Sequence, residues 1–312
     1  MVILGPTASG KTRLAALIAH KLGSEIISAD SRQVYRRMNL GTGKDYNDYF
    51  VENEKIPVHL IDIREPGEKY TLFDYQKDFL HACSKVASKG VIPVVCGGTG
   101  LYIEAVIRNY RLINVPVNEE LRKEWDHKSD QELTEMLAAI APLHNKTDTE
   151  TRKRLIRALE IAIYQQKHPD LPGLLPTFDA LVMGVQYERT TERQRIVERL
   201  ERRLKEGMIQ EVQQLLKEGI SSDDVMYYGL EYKWITLYLL GKMDYDEMFH
   251  KLMIAIHQFA KRQRTYFRRM ERNGIKIHWL RGEDGMEKNV QKVMDLVQQK
   301  WSTQQSKNPI SY

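Results

Sequence analysis

Cysteine is scarce. Only Cys83 and Cys96 occur in 312 residues, without the spacing of a metal-binding pair. At most one disulfide is possible, so a disulfide-stapled secreted scaffold is excluded and a reducing cytosol is the expected compartment. No apolar run approaches the length of a membrane span, so no membrane association is expected. No leader is expected either, because the first apolar strand begins at Val2. Repeats and low-complexity tracts are absent. Net charge is only +5, too mild to establish a nucleic-acid partner by itself. What remains is a globular composition, 42% hydrophobic and 29% charged, long enough for one large or two ordinary domains.

The chain is organised around its start. Val2-Ile3-Leu4 reads as a buried strand, and Leu14, Leu17, Ile18 and Leu22 recur at helical spacing. Between them Gly5-Pro6-Thr7-Ala8-Ser9-Gly10-Lys11-Thr12 has the spacing of a Walker A phosphate loop. Its glycines let backbone N–H groups turn onto phosphate oxygens, and the following helix adds positive partial charge. Lys11 is placed to neutralise terminal phosphates and Thr12 to ligate Mg²⁺. The loop does not say which polyphosphate is held.

Further strands are expected over residues 25–28, 58–62 and 91–96, with helices over 71–89 and from Leu101. Pro93 argues for an edge or strand-start position. Asp62 is either a Walker B-like aspartate or simply the close of its strand. This alternation predicts an α/β fold, a P-loop NTPase-like parallel sheet with helices on both faces. Ligands of such sheets sit at the strands' carboxyl ends, where the phosphate loop, Asp30, Asp62 and Thr99 all fall. The pattern then becomes wholly helical. The expected domains are a first core part (1–110), an all-helical insertion (111–177) and a second core part with long basic helices (178–312). In that last part strands are expected over 178–186 and 275–280, and helices over 191–217, 245–272 and 286–301, with a frayed tail from Ser302. Basic residues are unmixed in two places, 152–157 and 261–272. They suit phosphate contacts, though structural ion pairing explains them equally well.

Several blocks together resemble the tRNA dimethylallyltransferases, also called tRNA isopentenyltransferases, over nearly the whole chain. They are the phosphate loop, Ser28-Ala29-Asp30-Ser31-Arg32-Gln33-Val34-Tyr35, Leu40-Gly41-Thr42-Gly43-Lys44 and His59-Leu60-Ile61-Asp62. With them come Gly97-Gly98-Thr99-Gly100-Leu101-Tyr102, Arg154-Leu155-Ile156-Arg157-Ala158-Leu159-Glu160 and Ala260-Lys261-Arg262-Gln263-Arg264-Thr265-Tyr266-Phe267-Arg268. The resemblance implies transfer of a dimethylallyl group from dimethylallyl diphosphate to N6 of the adenosine 3′ to the anticodon, in tRNAs reading codons that begin with U. It implies that Gly5 to Thr12 hold a diphosphate with Mg²⁺ on Thr12, that Asp30 is the general base, and that Thr99 touches substrate at the reaction centre. It also implies tRNA contacts from Asp30, Ser31, Arg32, Gln33, Thr99, Arg122, Lys153, Arg154, Leu155, Ile156 and Arg157, by a cytoplasmic monomer.

This chain departs from the family at Arg32 and at Arg36-Arg37-Met38-Asn39, where apolar or small residues are usual. The Gly-Tyr-Lys-Glu block reads Gly229-Leu230-Glu231-Tyr232-Lys233, after Met226 and Tyr227 rather than the common Arg or Gln. The zinc-finger extension of eukaryotic members is not expected here, which is consistent with a bacterial-type enzyme. Three rivals are a small-molecule kinase using the same loop, a tRNA-binding member without catalysis, and an enzyme prenylating free adenylate.

Overall fold

In a computed structural model, residues 1–140, 149–169 and 176–305 are described, the last four without their side chains. They fall into two compact units, residues 1–109 with 176–312, and residues 110–175.

The first unit opens with β1 (Val2–Leu4), the phosphate loop and α1 (Lys11–Lys21), then β2 (Ile26–Ser28). A hairpin, β3 (Phe50–Val51) and β4 (Glu54–Lys55), precedes β5 (Val58–His59), α2 (Leu72–Ala87), β6 (Val94–Gly97) and α3 (Gly100–Ile107). After the second unit the chain returns as β7 (Val182–Gln186), α7 (Arg189–Lys205), α8 (Met208–Lys217), α9 (Ser222–Tyr227) and α10 (Leu230–Leu239). It closes with α11 (Tyr245–Arg272), β8 (Ile277–Arg281) and α12 (Met286–Gln305).

Six strands form one parallel sheet, in the order β5-β2-β6-β1-β7-β8. Side chains alternate across it. Ile3, Ile26, Val94, Cys96 and Met183 face a core shared with Leu14, Ile18 and the α12 residues Val290, Val293 and Val297. On the other side α2 meets β2 and α3, and α11 packs on α3 and α7. The expected doubly covered parallel sheet is therefore present. A second core, built by α7 to α11 around Met208, Tyr232, Ile235 and Leu252, backs the long segment after β2 through Val34, Tyr35 and Met38.

Of the two readings of Pro93 the strand start holds, since it stands just before β6, a central strand. β6 lies between β1 and β2, so the Asp30 strand is not adjacent to the strand feeding the phosphate loop. Two details differ from the sequence reading. The expected third strand stops at His59, because Leu60 (φ 63°) and Asp62 (φ 55°) adopt left-handed backbone. The expected helix over 191–217 breaks at Gly207, whose φ of 105° suits a residue without Cβ. The hairpin β3–β4 and the helices α9 and α10 fall where the sequence reading places no element.

In the second unit the described elements are α4 (Glu119–Trp125), α5 (Asp130–Ile140) and α6 (Arg152–Lys167). They close on Trp125, Leu133, Leu137, Leu155, Leu159 and Ala162. Asn118 and Thr151 cap α4 and α6 by accepting the backbone N–H groups of Leu121 and Arg154. Of the tail expected to fray from Ser302, residues 302–305 instead continue α12, and the rest lies outside the described residues.

Candidate functional site

The phosphate loop is shaped by backbone rather than by side chains. Gly10 occupies the N-cap position of α1 with φ 77°, and Ala8 is also left-handed at φ 60°. That path brings the first N–H groups of α1, which have no intrahelical acceptors, to the carboxyl edge of the sheet. Lys11 Nζ bends back to donate to Pro6 O at 3.3 Å. Burial pushes the Lys11 ammonium below its usual range, and Asp30 is among the acids opposing this.

Neighbouring loops are tied to it. Gln263, on α11 and 8% exposed, accepts from Thr7 N at 2.9 Å and donates to Gly98 O at 3.0 Å. One amide therefore spans the loops after β1 and β6. A Cβ on Gly98 would lie 2.5 Å from Gln263 Nε2, so this latch needs glycine there. Thr99 stands at the N-cap of α3 but makes no capping bond. Its Oγ1 instead accepts Ser31 N at 3.0 Å, joining the loops after β6 and β2. Asp30 Oδ1 accepts Arg32 N at 2.9 Å, which turns the chain and leaves the second oxygen outside that bond.

These loops open on one cavity of about 570 Å³. Thr7, Lys11 and Thr12 line it at one place, Asp30 to Gln33 and Thr99 at another. Leu101, Ile256, Phe259 and Tyr266 supply apolar wall. Two inter-strand spacings separate the β1 and β2 ends, about 9–10 Å, so Asp30 faces the phosphate loop across a wider gap than adjacent strands would give. Lys11 and Thr12 also line a larger polar recess of about 840 Å³ with Arg13, Lys44 and Asp45.

Asp62 does not join this group. Its carboxylate pairs with Lys44 Nζ and accepts from Tyr46 Oη. The Walker B-like reading gives way to a structural role, since the strand ends before Asp62 and its charge is already matched.

Sequence reasoning missed the arginines of α7. Arg195 Nε donates to Ala8 O and Arg199 Nη1 to Thr7 Oγ1, both at 3.0 Å. Burial, and then Arg203, lower Arg199 to about 10 against the opposing charge of Asp45. Burial also raises the Glu231 carboxyl, in the variant Gly229 block. The four-residue spacing of these arginines stands in the sequence, but residues 192–206 mix acidic and basic side chains, the pattern of a solvated helix face.

The candidate tRNA residues of the second unit divide. Lys153 and Arg154 are exposed, and Arg154 makes a surface pair with Glu150 at 2.7 Å. Arg122 and Arg157 instead converge on the buried Glu160: Arg122 donates at 2.8 and 3.1 Å, Arg157 at 2.8 Å and Asn118 N at 3.1 Å. Burial opposes ionisation of Glu160, but these donors outweigh it and hold its carboxyl below the usual range. Leu155 is 1% exposed within the helical core, so its side chain packs inward and the expected contact is corrected; Ile156 is half-buried.

Of the second basic run, Arg264 pairs with Glu192, while Lys261, Arg264 and Arg268 line a further polar cleft.

The family model described as IPP transferase matches residues 33–270, and that described as isopentenyl transferase matches residues 1–64. The tRNA dimethylallyltransferase 2 of Phocaeicola vulgatus is 54% identical over 300 residues, covering 96% of this chain and 98% of that one. The tRNA dimethylallyltransferase 1 of Porphyromonas gingivalis is 56% identical over 280 residues, covering 90% and 93%. Among solved structures, the full-length tRNA isopentenylpyrophosphate transferase of Bacillus halodurans superposes with a TM-score of 0.70 at 30% identity, covering 98% and 97%.

Proposed function

The chain belongs to the IPP transferase family, the tRNA dimethylallyltransferases, and from that premise we propose that it moves a dimethylallyl group from dimethylallyl diphosphate to N6 of the adenosine 3′ to the anticodon of tRNA. The observation that carries this reading is the single cavity shared by Lys11 and Thr12, by Asp30 and Thr99, and by an apolar wall.

In the reaction the C1–O bond of the allylic diphosphate breaks and the N6–C1 bond forms. The bonding pair leaves with the diphosphate, and N6 gives up one proton. Lys11, the N–H groups of α1 and Arg199 meet the charge that develops on the leaving group, where preorganised donors act most strongly. Leu101, Ile256, Phe259 and Tyr266 shield the allylic carbon from water. Thr99 Oγ1 accepts Ser31 N and donates to Ser31 Oγ at 3.4 Å, a long contact that its hydroxyl can exchange for a substrate oxygen. Asp30 takes the N6 proton as the bond forms. The adenine reaches it by leaving the anticodon stack, which loop bases do readily. Asp30 to Gln33 and the exposed Lys153 and Arg154 contact the RNA.

Mg²⁺ fits the donor set. Among the described residues no three His, Cys, Asp or Glu side chains converge as a metal cage. The Thr12 hydroxyl beside Lys11 offers instead the single protein oxygen that a phosphate-bound Mg²⁺ accepts. When bound, the ion supplies charge neutralisation to the departing diphosphate.

The test is mass spectrometry of nucleosides from tRNA incubated with the protein, Mg²⁺ and dimethylallyl diphosphate. The expected product is N6-dimethylallyladenosine without ATP. Its absence, or a strict need for ATP hydrolysis, would overturn the proposal.

A further inference from the structure

Arg195, Arg199 and Arg203 recur every four residues on α7 and so share one face of the helix. The first two reach the phosphate loop itself, through Ala8 O and Thr7 Oγ1. Arg203 does not. Its Nη2 donates to both oxygens of Asp45, at 3.0 and 2.9 Å, and Arg199 Nη2 meets the same carboxylate at 2.9 Å. One carboxylate thus serves two guanidinium groups. Arg202 approaches it more distantly, at 3.9 Å.

Two observations mark Arg203 as more than a brace. It is 5% exposed, yet its Nε is closed off from solvent with no hydrogen-bond acceptor. Buried donors on a charged group are rarely left so. It also lines the cavity that holds Lys11, Thr12, Asp30 and Thr99. Glu231, the other acid beside it, forms no ion pair with Arg199 or Arg203 among the described residues, and burial favours its neutral form. The cluster therefore carries more positive than negative charge at the place where an anion would enter.

We propose that Arg203 is a second guanidinium ligand for the diphosphate, and that Asp45 is an internal anion holding Arg203 and Arg199 in place until the substrate arrives. This rests on the reading of the cavity as a diphosphate site. A ligand with two linked phosphate groups can engage Lys11 and the α1 terminus with one, and the paired forks of Arg199 and Arg203 with the other. Guanidinium suits this better than ammonium, because its planar fork gives two parallel N–H groups. Phosphate oxygens would take the donors that Asp45 now shares.

The test is calorimetric binding of inorganic diphosphate to the full chain with Mg²⁺, with a thermal melt of each variant. Arg203→Met should weaken binding about 10- to 100-fold, the loss expected for hydrogen bonds to a charged group. Arg203→Lys should recover part of it. Asp45→Asn removes the competing carboxylate and should tighten binding about two- to tenfold. Arg203→Met that melts like wild type and binds within about twofold of it would overturn the inference. So would Asp45→Asn weakening binding as much as Arg203→Met, since the pair would then be a structural brace. If Arg203→Met does not fold, full affinity in Arg203→Lys overturns it equally. Wild type that binds no diphosphate would overturn the cavity reading and this inference together.

Discussion

Asp30→Asn isolates basicity from shape. Asp30 stands two residues past the Ile26–Ser28 strand, and its Oδ1 accepts Arg32 N at 2.9 Å. An asparagine Oδ1 can accept the same bond, so the turn carrying Ser31, Arg32 and Gln33 should persist. The Thr99 Oγ1 bond to Ser31 N, which joins the loops after β2 and β6, does not involve the substituted group. What disappears is the capacity to take a proton, the role proposed for Asp30 at N6. General-base contributions run to about 10²–10⁴-fold, which is about 3–5 kcal/mol of barrier. The assay is single-turnover prenyl transfer with saturating tRNA and dimethylallyl diphosphate, read beside the binding of each substrate. A loss in that range with both affinities kept is expected. The rival role for Asp30 is metal binding, since it shares a cavity with Thr12. In that case the Mg²⁺-dependent affinity for diphosphate should fall first. Transfer within about threefold of wild type, well short of a general-base loss, would remove Asp30 from the mechanism.

Two further predictions concern the helical unit. The double variant Lys153→Ala with Arg154→Ala should weaken tRNA binding and lower the salt slope by about one unit for each phosphate no longer engaged, leaving diphosphate affinity unchanged; an unchanged slope would show that this exposed patch touches no RNA. Glu160 should make the unit acid-labile: its carboxyl titrates below the usual range, so its stabilisation is complete above the ordinary carboxylate value of 4.5 and is lost as pH falls through the lowered value. Hydrogen exchange across residues 118–167 should therefore accelerate below about pH 4.5 in wild type and much less steeply in Glu160→Gln, and equal pH profiles in the two proteins would refute that assignment.

The local parts of the site were legible because each is a short-range pattern. The strand, glycine loop and helix of residues 2–21 are set by spacing and by where glycine is needed. Strand order is different. That β6 enters between β1 and β2 is a long-range pairing, and no periodicity in residues 1–30 encodes it. The wider gap between Asp30 and Lys11 follows from that insertion alone. Such a gap suits the proposed transfer, in which the leaving diphosphate oxygen and the accepting nitrogen stand on opposite sides of C1.

Charge was the least legible feature, because its meaning depends on what lies opposite. Arg122, Arg154 and Arg157 all read as basic residues in one helical region. Glu160, with a side chain only 1% exposed, draws two of them inward and leaves Arg154 to the surface. Leu155 was separable in principle, since Leu155, Leu159 and Ala162 repeat at helical spacing and mark a packed face. The reverse error occurred on α7, where Arg199 and Arg203 sit among acids and look solvated. Asp45, about 150 positions earlier in the chain, gathers both beside the phosphate loop. A half-buried carboxylate shared by two guanidinium groups is costly to desolvate and is weak evidence for stability. Its position beside the cavity proposed to take the diphosphate supplies a functional reason for it.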